Sequence, residues 1–442
     1  MSSPLNDLLD RFKAHGAATV LVKRLAENDN SKNQIYLGGN FEALNLLPVG
    51  KIETDNSVTA GSRRERAKAS VQFYWLTQSG ISRAPTAQLI LYPKYPEVRL
   101  SGLLLGAQEA PASLIASRIA GRLLFLAPTD NDRILAFVTA PDDPIANEFN
   151  SRHQFDQVGV FFRIAISNPE ESSREALLEA LQRVSHLGVI PGQRRLTSGA
   201  IVPNVARNAG GTTLEAVLGI AGNSLSEPDF LGWELKQYGT TGPPQYRAKS
   251  ALTLMTPEPT GGIYKSEGIN IFMERYGYAD RNGIVGRVNF GGIYAIGGGF
   301  NKNTGLKLVL SGESFGGDGP SLGGRLQLVD SNANVAAEWK FSDLLAHWNR
   351  KHSQAAYVPS TKSTSPSGYT YGPTALLCQG TDFLLFLSGL QASSVYLDPG
   401  IKQVTTDTGT STKKRNQFRV KMADVPLLYR SSERVTLIES KD

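Results

Sequence analysis

With one cysteine in 442 residues, the chain cannot build an internal disulfide framework or a cysteine-rich zinc site. That residue, Cys378, sits in the apolar run ALLCQG and is expected to be a buried strand thiol. No run of ~18 apolar residues occurs, and the opening MSSPLNDLLDRFKAHG has no basic tract leading into an apolar one. A membrane span and a secretory leader are therefore not expected, and a cytoplasmic protein is. No repeat recurs at a fixed period, which excludes solenoid and propeller arrays. His347 and His352 do not share a helical face, so the two-histidine zinc signature is absent. The glycine-rich GGG and SFGGDGPSLGG end in no Lys-Ser/Thr pair and precede no clear helix, which argues against a nucleotide-binding P-loop and for flexible loops over DNA or simple hairpin turns. Nor does one sign of charge dominate. The 46 Lys and Arg against 40 Asp and Glu give a net charge of +6, compatible with a polyanionic partner without requiring one.

What is present is material for ordinary cores, with 40% hydrophobic and 19% charged residues in a chain long enough for two domains. Residues 1–170 read as mostly β. A short amphipathic helix carries Leu5, Leu8, Leu9 and Phe12, and ATVLVKRL and further apolar-alternating segments follow as far as QVGVFFRIAI. LIASRIAGRLLFLAP belongs to this β pattern, and a closed barrel is the economical way to hide so many strand edges. The pattern stops at 167–172. There SNPEESSREALLEALQRVSHLG starts a helix near Ser167 or Asn168, with Leu177, Leu178, Leu181 and Val184 on one face. Residues 171–442 mix helix and strand: INIFMERYGY reads as β, PSTKSTSPSGYTYGP as a low-complexity loop, and DFLLFLSGLQASSVYLDPGIKQV as a strand pair.

The chemistry concentrates in GGTTLEAVLGIAGNSLSEPDFLGWELKQYG, residues 210–239. WELKQ reads as a short strand, so Glu234 and Lys236 share a face while Leu235 points into the core. Asp229 follows Pro228 in a turn at the strand's entry, where its carboxylate converges on Glu234. Two carboxylates suit Mg²⁺, which takes few protein oxygens and keeps several waters. Glu215 lies on a helix that Thr212 or Thr213 caps, placed to hold a metal water or to orient Lys236. The residue types fit phosphodiester hydrolysis: a metal polarises the phosphoryl oxygen and activates water, and a cation stabilises the charge that grows in the transition state.

The run Gly-Gly-Thr-Thr-Leu-Glu, Leu-Gly-Ile and Glu-Pro-Asp-Phe-Leu-Gly-Trp-Glu-Leu-Lys resembles the core of the MvaI/BcnI restriction endonucleases. Those enzymes belong to the PD-(D/E)XK nuclease superfamily and are similar to the mismatch-repair nicking enzyme MutH. The resemblance extends from LGVIPGQRRLTSGAIVP to SALTLMTPEP and covers residues 172–442. It implies an α/β (α+β) PD-(D/E)XK catalytic domain over 171–442. It also implies metal ligation by Asp229 and Glu234, catalysis by Lys236, a supporting acidic role for Glu215, and Mg²⁺ as cofactor. The segment holding Leu252–Leu254 resembles the strand that pairs beside the catalytic one, and Arg350 and Lys351 fall in a region near the DNA.

The N-terminal strand and arm, with Lys23, Arg24, Leu25, Asn28, Asp29 and Gln34, resemble the start of the EcoRII-type DNA-binding pseudobarrel. By that resemblance Lys32, Asn33 and Gln34 sit on a loop entering a DNA groove. GSRRERAKASVQFYWL puts Arg63, Arg64, Arg66 and Lys68 ahead of an aromatic strand. They read either as contacts to phosphates and guanine edges or as solvation of a loop. TSTKKRNQFRVK, with Lys413, Lys414 and Arg415, follows a hairpin tip and reads as a phosphate-contacting β-ribbon.

The expected protein is a Mg²⁺-dependent, sequence-specific endonuclease of double-stranded DNA. A mostly β, pseudobarrel-like DNA-recognition domain at 1–170 precedes the catalytic domain, and a cognate DNA methyltransferase is expected as a neighbour. A MutH-like nicking or modification-dependent nuclease is one alternative. A non-catalytic DNA-binding protein is another, and the presence of every acidic and lysine position of the motif counts against it.

Overall fold

Strand alternation carries most of this chain, and helices cover the faces the strands leave apolar. The computed structural model describes residues 3–27, 34–39, 43–55, 57–58, 66–92, 97–129, 131–152, 155–166, 169–206, 208–221, 229–311, 324–348, 352–407 and 409–438. The chain forms two compact units that divide between residues 172 and 173.

In the first unit, a seven-stranded sheet runs Asp156–Val158, Phe161–Ala165, Thr19–Arg24, Leu123–Pro128, Arg133–Thr139, Gln72–Thr77, Gly80–Ala84. A five-stranded sheet runs Ile35–Gly38, Glu97–Ser101, Gln88–Tyr92, Ala67–Ser70, Ile52–Thr54. Among the described residues both sheets are open, so the closed barrel is not formed. The physical reason is that helices do the covering. Leu5, Leu8 and Phe12 of the helix Pro4–Ala14, with Ala146 and Phe149 of the helix Pro144–Ser151, pack with the sheet residues Val20, Val22, Phe125 and Leu135. A sheet face buried under helices has no need to close on itself. LIASRIAGRLLFLAP is likewise not all strand, since Ala112–Ala116 is a helix. The buried guanidinium of Arg122 bonds the Ile119 carbonyl and reaches back to those of Leu114 and Ile115, which the helix end leaves without intrahelical partners.

In the second unit, a mixed sheet runs Glu234–Gly239, Gln354–Thr364, Thr374–Gln379, Ser431–Thr436, with Ser367–Tyr371 paired to Gln354–Thr364. Leu235, Ala356, Val358, Ala375 and Leu377 point to one face. There they bury Leu177, Leu181 and Val184 of the helix Pro169–His186 and Leu214 of the helix Gly210–Val217. By alternation Glu234, Tyr357 and Cys378 belong to the other face. Burial pushes the Cys378 thiol up to about 12, as suits an inert strand cysteine.

Several elements differ from the sequence expectation. Leu252–Met255 does not pair with Glu234–Gly239. It joins Phe418–Val420 and Val395–Leu397 in a separate sheet, and the Glu234 strand pairs in parallel with Gln354–Thr364. The chain between the two strands folds back on itself, with Lys249 N–H donating to the Gly239 carbonyl, and so leaves the sheet. INIFMERYGY forms the helix Ile269–Tyr276, burying Phe272, Met273 and Tyr276. The supposed low-complexity loop is a β-hairpin with Ser360 opposite Tyr371. DFLLFLSGL forms the helix Phe383–Gln391, with the Asp382 side chain accepting from Leu385 N–H. Among the described residues no helix is long and apolar enough to cross a membrane.

Candidate active site

The entry to the Glu234 strand is a two-residue turn. Phe230 and Trp233 exchange both backbone hydrogen bonds, at 2.9 and 2.8 Å, around Leu231 and Gly232. Both central residues have positive φ, 46° and 89°, the signature of a turn that reverses the chain tightly. Glycine meets that demand without strain, and Leu231 is the exception a non-glycine residue makes at such a position. The reversal leaves Asp229 and Glu234 flanking the closed pair. Asp229 then reaches across it, its Oδ2 accepting from Leu235 N–H at 3.0 Å.

Glu234 is 2% exposed and its Oε1 accepts from Lys236 Nζ at 2.6 Å, so carboxylate and ammonium lie side by side on one face as the spacing predicts. Lys236 keeps about a fifth of its side chain exposed. The pair therefore has a buried acid and an accessible cation.

Glu215 sits on the helix Gly210–Val217, which packs with the Glu234 strand in one core through Leu214 and Leu235. Thr212 and Thr213 do not cap this helix. Both lie within its first turn, and their hydroxyls meet the Ala209 carbonyl at 3.0 and 2.7 Å. The helix starts hard against the strand, because a Cβ on Gly210 would lie 3.0 Å from the Gln237 side chain. Tyr371 Oη holds the same turn by donating to the Gly210 carbonyl at 2.7 Å, and Gln237 Nε2 donates to Ser360 Oγ at 2.7 Å.

Lys236 opens into a cavity of about 1050 Å³. Among the described residues its wall contains the cations Lys236, Lys249, Lys362, Lys402, Arg415 and Arg419 and no carboxylate. Arg419 is committed to Asp398, at 2.6 Å, and to the Ala251 carbonyl. Lys249, Lys402 and Arg415 are exposed and form no ion pair among the described residues. Lys402 and Lys413 are directly opposed in the hairpin Gly400–Thr406 and Gly409–Lys413. Like charges in that position repel, and an anion lying over both relieves the repulsion.

The sequence-derived residues thus divide. Glu234 and Lys236 come together, Asp229 bonds the Leu235 backbone N–H between them, and Arg415 joins Lys236 in the cavity wall. Lys414 turns instead to Glu258, at 3.8 Å, and stacks over Tyr264. Arg66 and Lys68 both bind Asp55, at 2.6 and 2.8 Å. Lys68 first, then Ser57 and Arg66, hold the Asp55 carboxyl well below the usual carboxylate range. Gln34 takes a long contact from Arg99, at 3.5 Å. Lys32, Asn33, Arg63, Arg64, Arg350 and Lys351 lie outside the described residues. Sequence reasoning missed Lys249, Lys362 and Lys402 as cavity cations, since each stands alone in its segment.

Among the described residues no group of three or more His, Cys, Asp or Glu side chains forms a metal cluster. The donor set at the strand entry is two carboxylates, Asp229 and Glu234, beside a cation-lined space. That set fits a hard cation that keeps its waters and completes its shell with substrate phosphate oxygens.

The chain matches the MvaI/BcnI restriction endonuclease family over residues 178–429. Among solved structures it is similar to restriction endonuclease MvaI in complex with its cognate DNA substrate, at 19% identity and a TM-score of 0.44, over 60% of this chain and 98% of that one. It is similar also to MvaI in the absence of DNA, at 18% identity and a TM-score of 0.33, over the same shares. No curated protein matches. The family match spans more than half of the chain and takes in the Glu234 strand, the Gly210 helix and the cationic cavity. This protein belongs to the MvaI/BcnI restriction endonuclease family.

Proposed function

We propose that the protein is a Mg²⁺-dependent, sequence-specific endonuclease that hydrolyses phosphodiester bonds of double-stranded DNA in a PD-(D/E)XK site. The observation that carries this reading is the pairing of a buried carboxylate with an accessible lysine at the edge of a cationic cavity that holds no carboxylate among the described residues. Such a wall attracts a polyanion and repels none of its phosphates.

Asp229 and Glu234 would hold the metal, which when bound polarises the phosphoryl oxygen and activates water. Lys236 supplies a positive charge beside the phosphate that becomes more negative as water's oxygen forms its bond to phosphorus and the bond to the leaving oxygen breaks. Glu234 fixes the direction of that ammonium through their 2.6 Å contact. Asp229 locks the strand entry through Leu235 N–H, so the two acids keep their spacing. Glu215 supports the site from the Gly210 helix.

The same reading gives the first unit a second contact with duplex DNA, supported by its sheet-rich architecture and its resemblance to a DNA-binding pseudobarrel. Restriction of incoming DNA is the role this activity serves, in the cytoplasm and beside a methyltransferase that protects host sites.

The test is digestion of unmethylated and methylated phage DNA by the purified protein in Mg²⁺ and in EDTA. Discrete fragments that require Mg²⁺ are expected, and their ends give the recognised sequence. Tight duplex binding with no cleavage of any substrate would instead favour a recognition-only protein.

A further inference from the structure

Between Glu179 and Glu215 the sequence contains no acidic residue, although the chain holds 40 of them, and this stretch carries Arg194 and Arg195. The structure folds the two arginines into a two-stranded antiparallel ribbon, Gln193–Arg195 with Ile201–Pro203. Arg194 is exposed, Arg195 half-buried, and neither forms an ion pair among the described residues. Among the described residues the ribbon pairs with no other sheet. Ile201 within it and Val205 just after it are 52% and 97% exposed. A two-stranded ribbon with cations and apolar groups on its surface has the dimensions and charge of an element that lies in a DNA groove.

The ribbon is also bonded to the helix that carries Glu215. Gln193 N–H donates to Thr213 Oγ1 at 3.1 Å, and Thr213 spends its own proton on the Ala209 carbonyl at 2.7 Å. From the second strand's end, Asn204 Nδ2 donates to Thr212 Oγ1 at 3.0 Å, and Asn204 N–H donates to the Gly192 carbonyl at 2.8 Å. Gly192 is packed too closely for any side chain, since a Cβ there would lie 2.4 Å from the Asn204 carbonyl oxygen. Both ribbon strands are therefore rooted on the first turn of the Gly210 helix, and Asn208 and Gly210 run from that root into the wall of the cationic cavity.

We propose that this ribbon is a DNA-contacting arm. Arg194 and Arg195 bind backbone phosphates next to those held by the cavity, and Thr212 and Thr213 couple the arm's seating on DNA to the position of Glu215. The inference rests on the reading of the cavity as the duplex-DNA site. Thr212 and Thr213 are positioning residues, acting through the helix.

Binding of the full chain to a short DNA duplex, followed across salt concentrations in EDTA, tests the arm. Each phosphate contact adds about 0.9 to the slope of log affinity against log salt, so R194A/R195A should flatten it by about 1.8. Wild-type binding with an unchanged slope in the double variant overturns the arm alone. Failure of the wild-type protein to bind duplex DNA overturns the cavity reading as well. For the coupling, T213V should keep the wild-type salt slope while its single-turnover cleavage rate falls roughly tenfold to a hundredfold, and T213S should restore the rate. Equal cleavage rates in wild type, T213V and T212V overturn the coupling. T212V, on the half-exposed side of the same turn, provides the measurement should T213V fail to fold.

Discussion

A basic cluster in the first unit and one in the second have surroundings that give them opposite meanings. In the first unit Arg66 and Lys68 converge on a single carboxylate, Asp55, which also takes Ser57. In the second, Lys249, Lys402 and Arg415 line a space that contains no carboxylate among the described residues, and Lys402 even faces Lys413. The first arrangement satisfies its cations internally. The second leaves charge for something outside the protein to satisfy. A basic run in a sequence becomes a polyanion site only where the fold withholds its counter-ions, and that depends on residues far away in the chain.

The sharpest break in the comparison is catalytic. Asp229→Ala should reduce cleavage on the order of 10³-fold, the scale of losing one electrostatic element of an active site, while leaving duplex affinity near wild type. Parallel single-turnover cleavage and equilibrium binding check this, and equal losses in both would remove the distinction between acids and cavity. A smaller effect is expected at the turn that sets the acids' spacing. Gly232→Ala forces a side chain into the left-handed region at a cost of roughly 1–2 kcal/mol, visible as a lowered melting temperature. Cleavage should fall more than binding, because the strand entry shifts while the cavity stays.

On the other side, R66A should change duplex affinity less than about twofold, because its charge is already matched by Asp55 and adds little to the field outside the protein. The smallest effect is a pH dependence. Asp55 has a folded pKa held below its unfolded value, so its contribution to stability is present at neutral pH. It is lost as pH falls below the ordinary carboxylate range. Denaturant titrations from pH 6 to pH 3 should show a shallower decline for Asp55→Asn than for wild type.

The Glu234 strand was legible because its signal is local. WELKQ alternates cleanly, and Phe-Leu-Gly-Trp contains the glycine its turn requires, although nothing marked Leu231 as the second residue with positive φ. The cavity was only partly legible. Lys236, Lys249, Lys362, Lys402 and Arg415 are spread over three strands and two loops, and only the parallel pairing of the Glu234 strand with Gln354–Thr364 and the packing around it collect them. Short apolar runs were the other source of error. INIFMERYGY alternates near its start yet places Phe272, Met273 and Tyr276 at helical spacing, and eight residues do not separate the two periods. DFLLFLSGL is apolar throughout, and its deciding feature was the Asp382 cap rather than its periodicity. The open sheets of the first unit were illegible for a different reason. Whether a sheet closes depends on what covers its faces, and the helices that do so come from both ends of that unit.

The contrast between the two clusters is tested most directly by salt-titrated duplex binding of K402A/R415A beside R66A/K68A. The account predicts that the first double variant flattens the salt slope by about 1.8 and that the second leaves it within about 0.5 of wild type. Equal flattening in both, or flattening only in R66A/K68A, would contradict it.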